Sequence, residues 1–279
     1  MWFDTPALRT LIDLALVEDV GTGDHATEAT LDPARLGHAS VRAKSDAVLC
    51  GGTVFVLVMQ RFDPRITARC VVQDGAHVTH GDVVIELEGP LASILTAERI
   101  ALNFLQRMSG IATATRAYVA ATRPFHAKIA DTRKTLPGYR ALDKYAVRTG
   151  GGHNHRTALD AGILVKENHT MAAGSVANAV QQARNVGSHL LRVEVEVETL
   201  ADLEEALNAG AEVVLLDNMD TATLTAAVAQ TGGRAILEAS GNMTLARIPE
   251  VAATGVDFIS VGALTHSVEA ADFSLRIQR

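Results

Sequence analysis

Residues 7–19 (ALRTLIDLALVED) carry apolar side chains at helical spacing, and Gly21 and Gly23 close the run as helix-ending glycines do. Three stretches then read as strands: VRAKSDAVLC (41–50), ITARCVVQ (66–73) and DVVIELEG (82–89). A helix is expected between the first two, from Thr53 to Phe62. From Leu95 to Arg107 the pattern is again helical. Ile100, Leu105 and Met108 are among its apolar positions, and Glu98, Arg99, Asn103 and Gln106 among its polar ones. Ser109-Gly110 breaks that pattern, and the domain boundary is expected there.

Beyond this point the texture changes to short strands alternating with helical stretches such as LADLEEALNAG. The strands are AKIAD, GILVK, LRVEVEV, EVVLLD, RAILEA and VDFISVG. Such alternation predicts a parallel sheet, doubly wound or closed as a barrel. The residues left are too few for the ~250 of a full eightfold barrel. The expectation is therefore α/β with two domains. Residues 1–110 form the first, and 111–279 form an incomplete α/β barrel of fewer than eight units, whose last ~10 residues can return to the first domain.

Composition narrows the class. Hydrophobic residues make up 48% and aromatics only 4% of the 279, which suits a core of Val, Leu, Ile and Ala. The chain is acidic, with 25 Lys plus Arg against 32 Asp plus Glu. No apolar run suits a bilayer, and Asp4 stands where a signal peptide needs a basic start. Cys50 and Cys70 have no metal-type spacing and read as reduced thiols in a cytoplasmic protein. DGAHVTHGDVVIELEG resembles half of a biotinyl or lipoyl carrier. No lysine lies between Cys70 and Arg107 to carry the group, so the segment reads as structural.

Against that acidic background the segment from Lys128 to His169 concentrates cations, which points to a small, multiply charged anion and away from nucleic acid. Parallel α/β folds place their sites at the carboxyl ends of strands. Those ends carry Asp131 with Arg133 and Lys134, then Lys166, Glu196, Asp217, Glu238 with Ser240, and Ser260 with Gly262. In LRVEVEVE the valines share one face and Glu194, Glu196 and Glu198 the other. With both sheet faces covered, the glutamates point inward and need cations such as Lys134 and Lys166, or a metal, because an unpaired buried charge costs several kcal/mol. The small residues of SGN and VGA at the last two strand ends let backbone N–H groups approach a phosphate. No Gly-Lys pair exists for a Walker A loop. His153-Asn154-His155 has a metal-hydrolase spacing, but Arg156 beside it disfavours a metal.

The long motifs DTRKTLPGYRALDKYAVRTGGGHNHR, ILVKENH, RVEVEVETLADLEEALNAGAEVVLLDN, EASGN and ISVGALTHS together resemble the decarboxylating quinolinate phosphoribosyltransferases, also called nicotinate-nucleotide pyrophosphorylases. EDVGTGDHAT and AERIALNFLQRMSGIAT extend the likeness over nearly the whole chain. A barrel family associated with molybdenum transport shares DTRKT and is the alternative, with a different acceptor. The resemblance implies an N-terminal α/β sandwich, an incomplete barrel of the type II phosphoribosyltransferase kind, and a homodimer in which Arg99 reaches the partner's site. It implies transfer of phosphoribosyl from 5-phosphoribosyl 1-pyrophosphate to quinolinate with magnesium and no organic cofactor. The implied substrate-binding residues are Arg99, Thr132, Arg133, Lys134, His155, Arg156, Lys166, Glu196, Asp217, Ser240, Gly241, Asn242, Val261, Gly262 and Ala263. Lys134, Glu196 and Asp217 are the implied catalytic residues, and Glu196 and Asp217 the implied magnesium ligands, directly or through water or substrate.

Overall fold

The first helix, Pro6–Val20, begins where Thr5 accepts from the Leu8 N–H at 3.3 Å and ends at Gly21, whose φ of 55° few other residues adopt cheaply. This computed structural model describes residues 5–278, so Asp4 lies outside the described residues. In chain order the strands are β1 (Leu36–Ala43), β2 (Ala47–Val48), β3 (Thr67–Cys70), β4 (His77–Val78), β5 (Val83–Pro90), β6 (Lys128–Ala130), β7 (Ile163–Val165), β8 (Val193–Val197), β9 (Val213–Asp217), β10 (Ile236–Ser240), β11 (Phe258–Ser260) and β12 (Phe273–Ile277).

Contacts divide the chain into two units. The first holds the residues up to Arg116, Leu136–Gly151 and the segment from Val268. Its four-stranded antiparallel sheet runs β12-β1-β5-β3, so the last strand of the chain pairs with the first. Alternation along β1 buries Ala39, Val41 and Ala43. The Gly52–Phe62 helix covers β3 and buries Val54, Phe55, Val58 and Met59. Its first N–H groups are satisfied from a distance: Asp74 accepts from Gly51 and Gly52 at 2.9 and 3.1 Å, and Tyr145 donates to the same carboxylate at 2.9 Å.

Two sequence expectations change here. VRAKSDAVLC is not one strand, since β1 stops at Ala43 and β2 covers only Ala47–Val48. The helix expected over Leu95–Arg107 runs unbroken from Leu91 to Ala121. Ser109-Gly110 is a packing device inside it. The Ser109 hydroxyl accepts from the Cys50 N–H at 2.9 Å and donates to the Cys50 carbonyl at 3.0 Å. At Gly110 an added Cβ would lie 3.1 Å from Ala270 Cα. Gly110→Val is therefore expected to destabilise the fold by about 1–3 kcal/mol through overpacking, seen as a lower thermal midpoint.

The second unit comprises Ala117–Thr135 and Gly152–Ser267. Its six parallel strands run in the order β6-β11-β10-β9-β8-β7, fewer than the eight of a full barrel. A single bridge from Ala130 to His153 carries the pairing one step past β6. Helices return the chain between strands, and Ser175, Thr199 and Asp220 cap three of them by accepting from N–H groups three residues on. Val193, Val195 and Val197 are all buried, as a strand covered on both faces requires. No helix among the described residues is long and apolar enough to cross a membrane.

Candidate active site

Register brings the charged strand ends of the second unit together. Val165 pairs with Val195, so the next residues, Lys166 and Glu196, emerge side by side, and Lys166 Nζ forms an ion pair with Glu196 Oε2. Asp217 and Ser240 are direct partners in β9 and β10. Around these ends lies a cavity of about 370 Å³, lined by Thr132, Arg133, Lys134, His155, Arg156, Lys166, Glu196, Asp217 and Ser240, together with Glu238, Ser260 and two leucines. A second cavity of about 410 Å³ reaches the opposite strand ends at Ile163, Val213, Ile236 and Phe258 and shares His155, Arg156 and Glu238. The first alone of these two gathers Lys134, Lys166, Glu196 and Asp217, so we place the chemistry there despite its smaller volume.

Asp131, wholly buried, fastens the loop after the triple glycine. It accepts from Asn154 Nδ2 at 2.6 Å and from the His155 N–H at 2.9 Å. The two histidines of His153-Asn154-His155 then separate. His153 joins the sheet through its backbone and sets its ring edge-on to Phe258 at 6.0 Å. His155 turns inward, with Nε2 3.0 Å from Glu194 Oε2 and 3.8 Å from Glu238 Oε1. Its Nδ1 accepts from the Arg156 N–H at 2.8 Å, which assigns the ring proton to Nε2. Glu194 thus meets a histidine where the sequence pattern suggested a lysine, while Glu196 has its lysine.

Arg156 donates to the Gly162 carbonyl at 3.1 Å. Burial and then the like charge of Arg133 hold its pKa below the ordinary guanidinium value, with Glu194 opposing. Two guanidinium groups close enough to repel favour an anion that engages both, and a planar fork suits carboxylates. Lys134 is exposed; Thr265 donates to its carbonyl at 2.8 Å, and Gly262 leaves room beside its Cδ, 3.1 Å from where a Cβ would stand.

Other residues anticipated from sequence sit at the margins. Val261 is buried, and its N–H donates to Ala130 in the sheet. Gly241 and Asn242 follow β10, Gly262 caps the Ala263–His266 helix after β11, and none of these four residues lines the cavity. Gly241 has φ 96°, and a Cβ there would stand 2.9 Å from the Asn218 nitrogen. Asn218 in turn donates to Asp217 Oδ2 at 2.7 Å. Arg99 is exposed on the Leu91–Ala121 helix, outside the lining.

The sequence places Glu194 inward and Glu238 at a strand end but gives no sign of their convergence on His155. Ligand atoms of these three residues lie within 4.8 Å of one another. Burial, and next the charge of Glu194, push the Glu238 carboxyl up to about 7; His155 and Ser260 pull it down, and Asp131 pushes it further up. Glu238 therefore keeps its proton on folding at pH values where the unfolded chain has lost it. Its contribution to stability is full below about 4.5 and fades as pH rises through about 7. Glu238→Gln, which has no such proton to lose, is expected to gain on the parent protein across that window in denaturant titrations at stepped pH.

Residues 24–109 match the family description "Quinolinate phosphoribosyl transferase, N-terminal domain" and residues 111–276 its "C-terminal domain". A Bacillus subtilis protein named probable nicotinate-nucleotide pyrophosphorylase (carboxylating) is 41% identical over 270 residues, covering 97% of this chain and 93% of that one. The crystal structure of NadC from Streptococcus pyogenes superposes with a TM-score of 0.93 at 43% identity, covering 99% of both chains. The nicotinate-nucleotide pyrophosphorylase from Francisella tularensis gives 0.94 at 40% identity, covering 98% of this chain and 96% of that one.

Proposed function

Since the chain belongs to the quinolinate phosphoribosyltransferase family, we propose how its own residues divide the work of that reaction. Phosphoribosyl passes from 5-phosphoribosyl 1-pyrophosphate to quinolinate, giving nicotinate mononucleotide, pyrophosphate and carbon dioxide for de novo NAD synthesis. One observation carries the reading: cations of the segments 132–134 and 155–156 and Lys166 line one cavity at the strand ends with the acids Glu196, Asp217 and Glu238.

Quinolinate presents two adjacent carboxylates. Arg133 and Arg156 receive them with His155, Lys166 and the Thr132 hydroxyl, while Arg99 of a partner subunit completes the wall in a homodimer. The pyridine nitrogen attacks the ribose C1 as the bond to pyrophosphate breaks. Glu196 and Asp217 stabilise the positive character developing at that carbon, and Lys134 neutralises the leaving pyrophosphate or a carboxylate. Ser240, Gly241, Asn242, Gly262 and Ala263 hold the 5-phosphate, while Val261, whose N–H is taken by Ala130, fixes the start of that second segment. The ribosylated ring nitrogen is then an electron sink for the bond to the departing carboxylate, and a proton replaces the lost carbon dioxide. No organic cofactor is needed for that step.

Magnesium fits the donor set. Asp217 and Glu196 are hard oxygen donors in one cavity, and this ion is commonly held by one or two carboxylates plus substrate phosphates. Asp217 is the more available, because Glu196 is paired with Lys166. When bound, the ion supplies neutralisation of phosphate charge. The setting is read as cytoplasmic, which the free thiols of Cys50 and Cys70 support.

The test is incubation of the purified chain with quinolinate, 5-phosphoribosyl 1-pyrophosphate and magnesium. Release of pyrophosphate and carbon dioxide in equal amounts is expected. Use of another pyridine acceptor with quinolinate ignored would sink the reading.

A further inference from the structure

Glu194 and Glu238 stand on β8 and β10, with β9 between them; Glu194 pairs with Val213 and Glu238 with Leu215. Both are more than nine-tenths buried, at 8% and 5% exposure, and each keeps an Oε1 without a hydrogen-bond partner. Two acids this close and this dry are a poor way to stabilise a barrel, because apolar residues of similar volume usually do as well or better. What they hold is specific. Glu194 accepts from Nε2 of His155 at 3.0 Å, Glu238 stands 3.8 Å behind the same nitrogen, and Nδ1 accepts from the N–H of Arg156.

We propose that Glu194 and Glu238 are positioning residues for the acceptor, anchoring the His155 ring so that Arg156 is fixed in the wall that receives the dicarboxylate. This rests on the quinolinate reading above. Neither acid touches the reacting atoms. They act through the imidazole, whose orientation sets where the Arg156 backbone leaves the loop, while Asp131 fixes the same loop from its other side. The arrangement resembles the outer partners of metal-ligating histidines, here turned toward a carboxylate receptor. The effect falls on quinolinate alone, since the pyrophosphorylated ribose is held by Lys134, Asp217 and the late turns.

The experiment compares Glu194→Ala, Glu194→Gln and Glu238→Ala with the parent protein. Steady-state kinetics are run for each substrate, quinolinate binding is measured by calorimetry, and melting is followed in parallel. Glu194→Ala is expected to raise the KM for quinolinate about tenfold, the scale of a lost hydrogen bond in a charged network, while the KM for the ribosyl donor stays within about twofold. Glu194→Gln should recover most of the loss, because the amide oxygen still accepts from Nε2. Glu238→Ala should weaken quinolinate severalfold with no fall in melting temperature, and it carries the test should Glu194→Ala fail to fold. Unchanged quinolinate affinity in the folded alanine variants would overturn the inference, as would equal changes for both substrates. Parent protein that binds no quinolinate would overturn the functional reading and this inference together.

Discussion

Replacing Arg133 by alanine is expected to lower kcat/KM for quinolinate by roughly a hundred- to a thousandfold, the cost of removing one partner from a partly buried charge pair. Arg133 is half-buried and lines the cavity, and its charge depresses the pKa of Arg156. A dicarboxylate relieves that repulsion by engaging both groups, so binding is strongest where an anion meets two planar forks. Without Arg133 the second carboxylate loses its counter-charge. Arg133→Lys should recover only part of the loss, because an ammonium is a point charge and cannot grip both oxygens. Steady-state kinetics with each substrate varied would check it. A loss below tenfold would move the acceptor's main anchor elsewhere in the cavity.

The second large effect is expected at Asp217. Asp217→Asn should reduce kcat by about 10²–10³, the scale seen when one preorganised electrostatic partner of a transition state is removed. The amide has the carboxylate's shape, so positions around it should persist. That includes the Asn218 side chain, which now donates to Oδ2 at 2.7 Å. Only the negative charge is lost. Single-turnover measurements would separate this from slow product release, and a kcat within threefold of the parent protein would remove Asp217 from the chemistry. Glu196→Gln is harder to interpret alone, because it also releases Lys166. A double-mutant cycle of Glu196 with Asp217 would apportion the two roles.

The long helix shows where local pattern misleads. Ser109-Gly110 looks like a terminator because glycine is a poor helix former. Its reason for being there lies on other segments, in the Cys50 backbone that bonds Ser109 and in Ala270 packed against Gly110. Neither neighbour lies within a local window, so the local pattern points to a helix end where the helix continues to Ala121. The strands of the second half were legible because their cue is internal. LRVEVEV alternates with period two, and its valines are buried as that alternation requires.

What the sequence determined by itself was which side chains stand at strand ends and that Glu194 and Glu196 face inward, since both follow from strand periodicity; Glu198, expected on the same inward face, is exposed just past the end of β8. It also carried the identity of the substrates, through motifs long enough to mark a family. What only the tertiary structure decided was the allocation of partners. Lys166 falls to Glu196, whereas Glu194 falls to His155 with Glu238 behind it. The physical reason is that these pairs join residues 30 or more positions apart, brought together where β7 pairs with β8, β9 stands between β8 and β10, and the loop before β7 turns His155 inward. A carboxylate's nearest cation is set by register between strands, and no local run of residues encodes that distance.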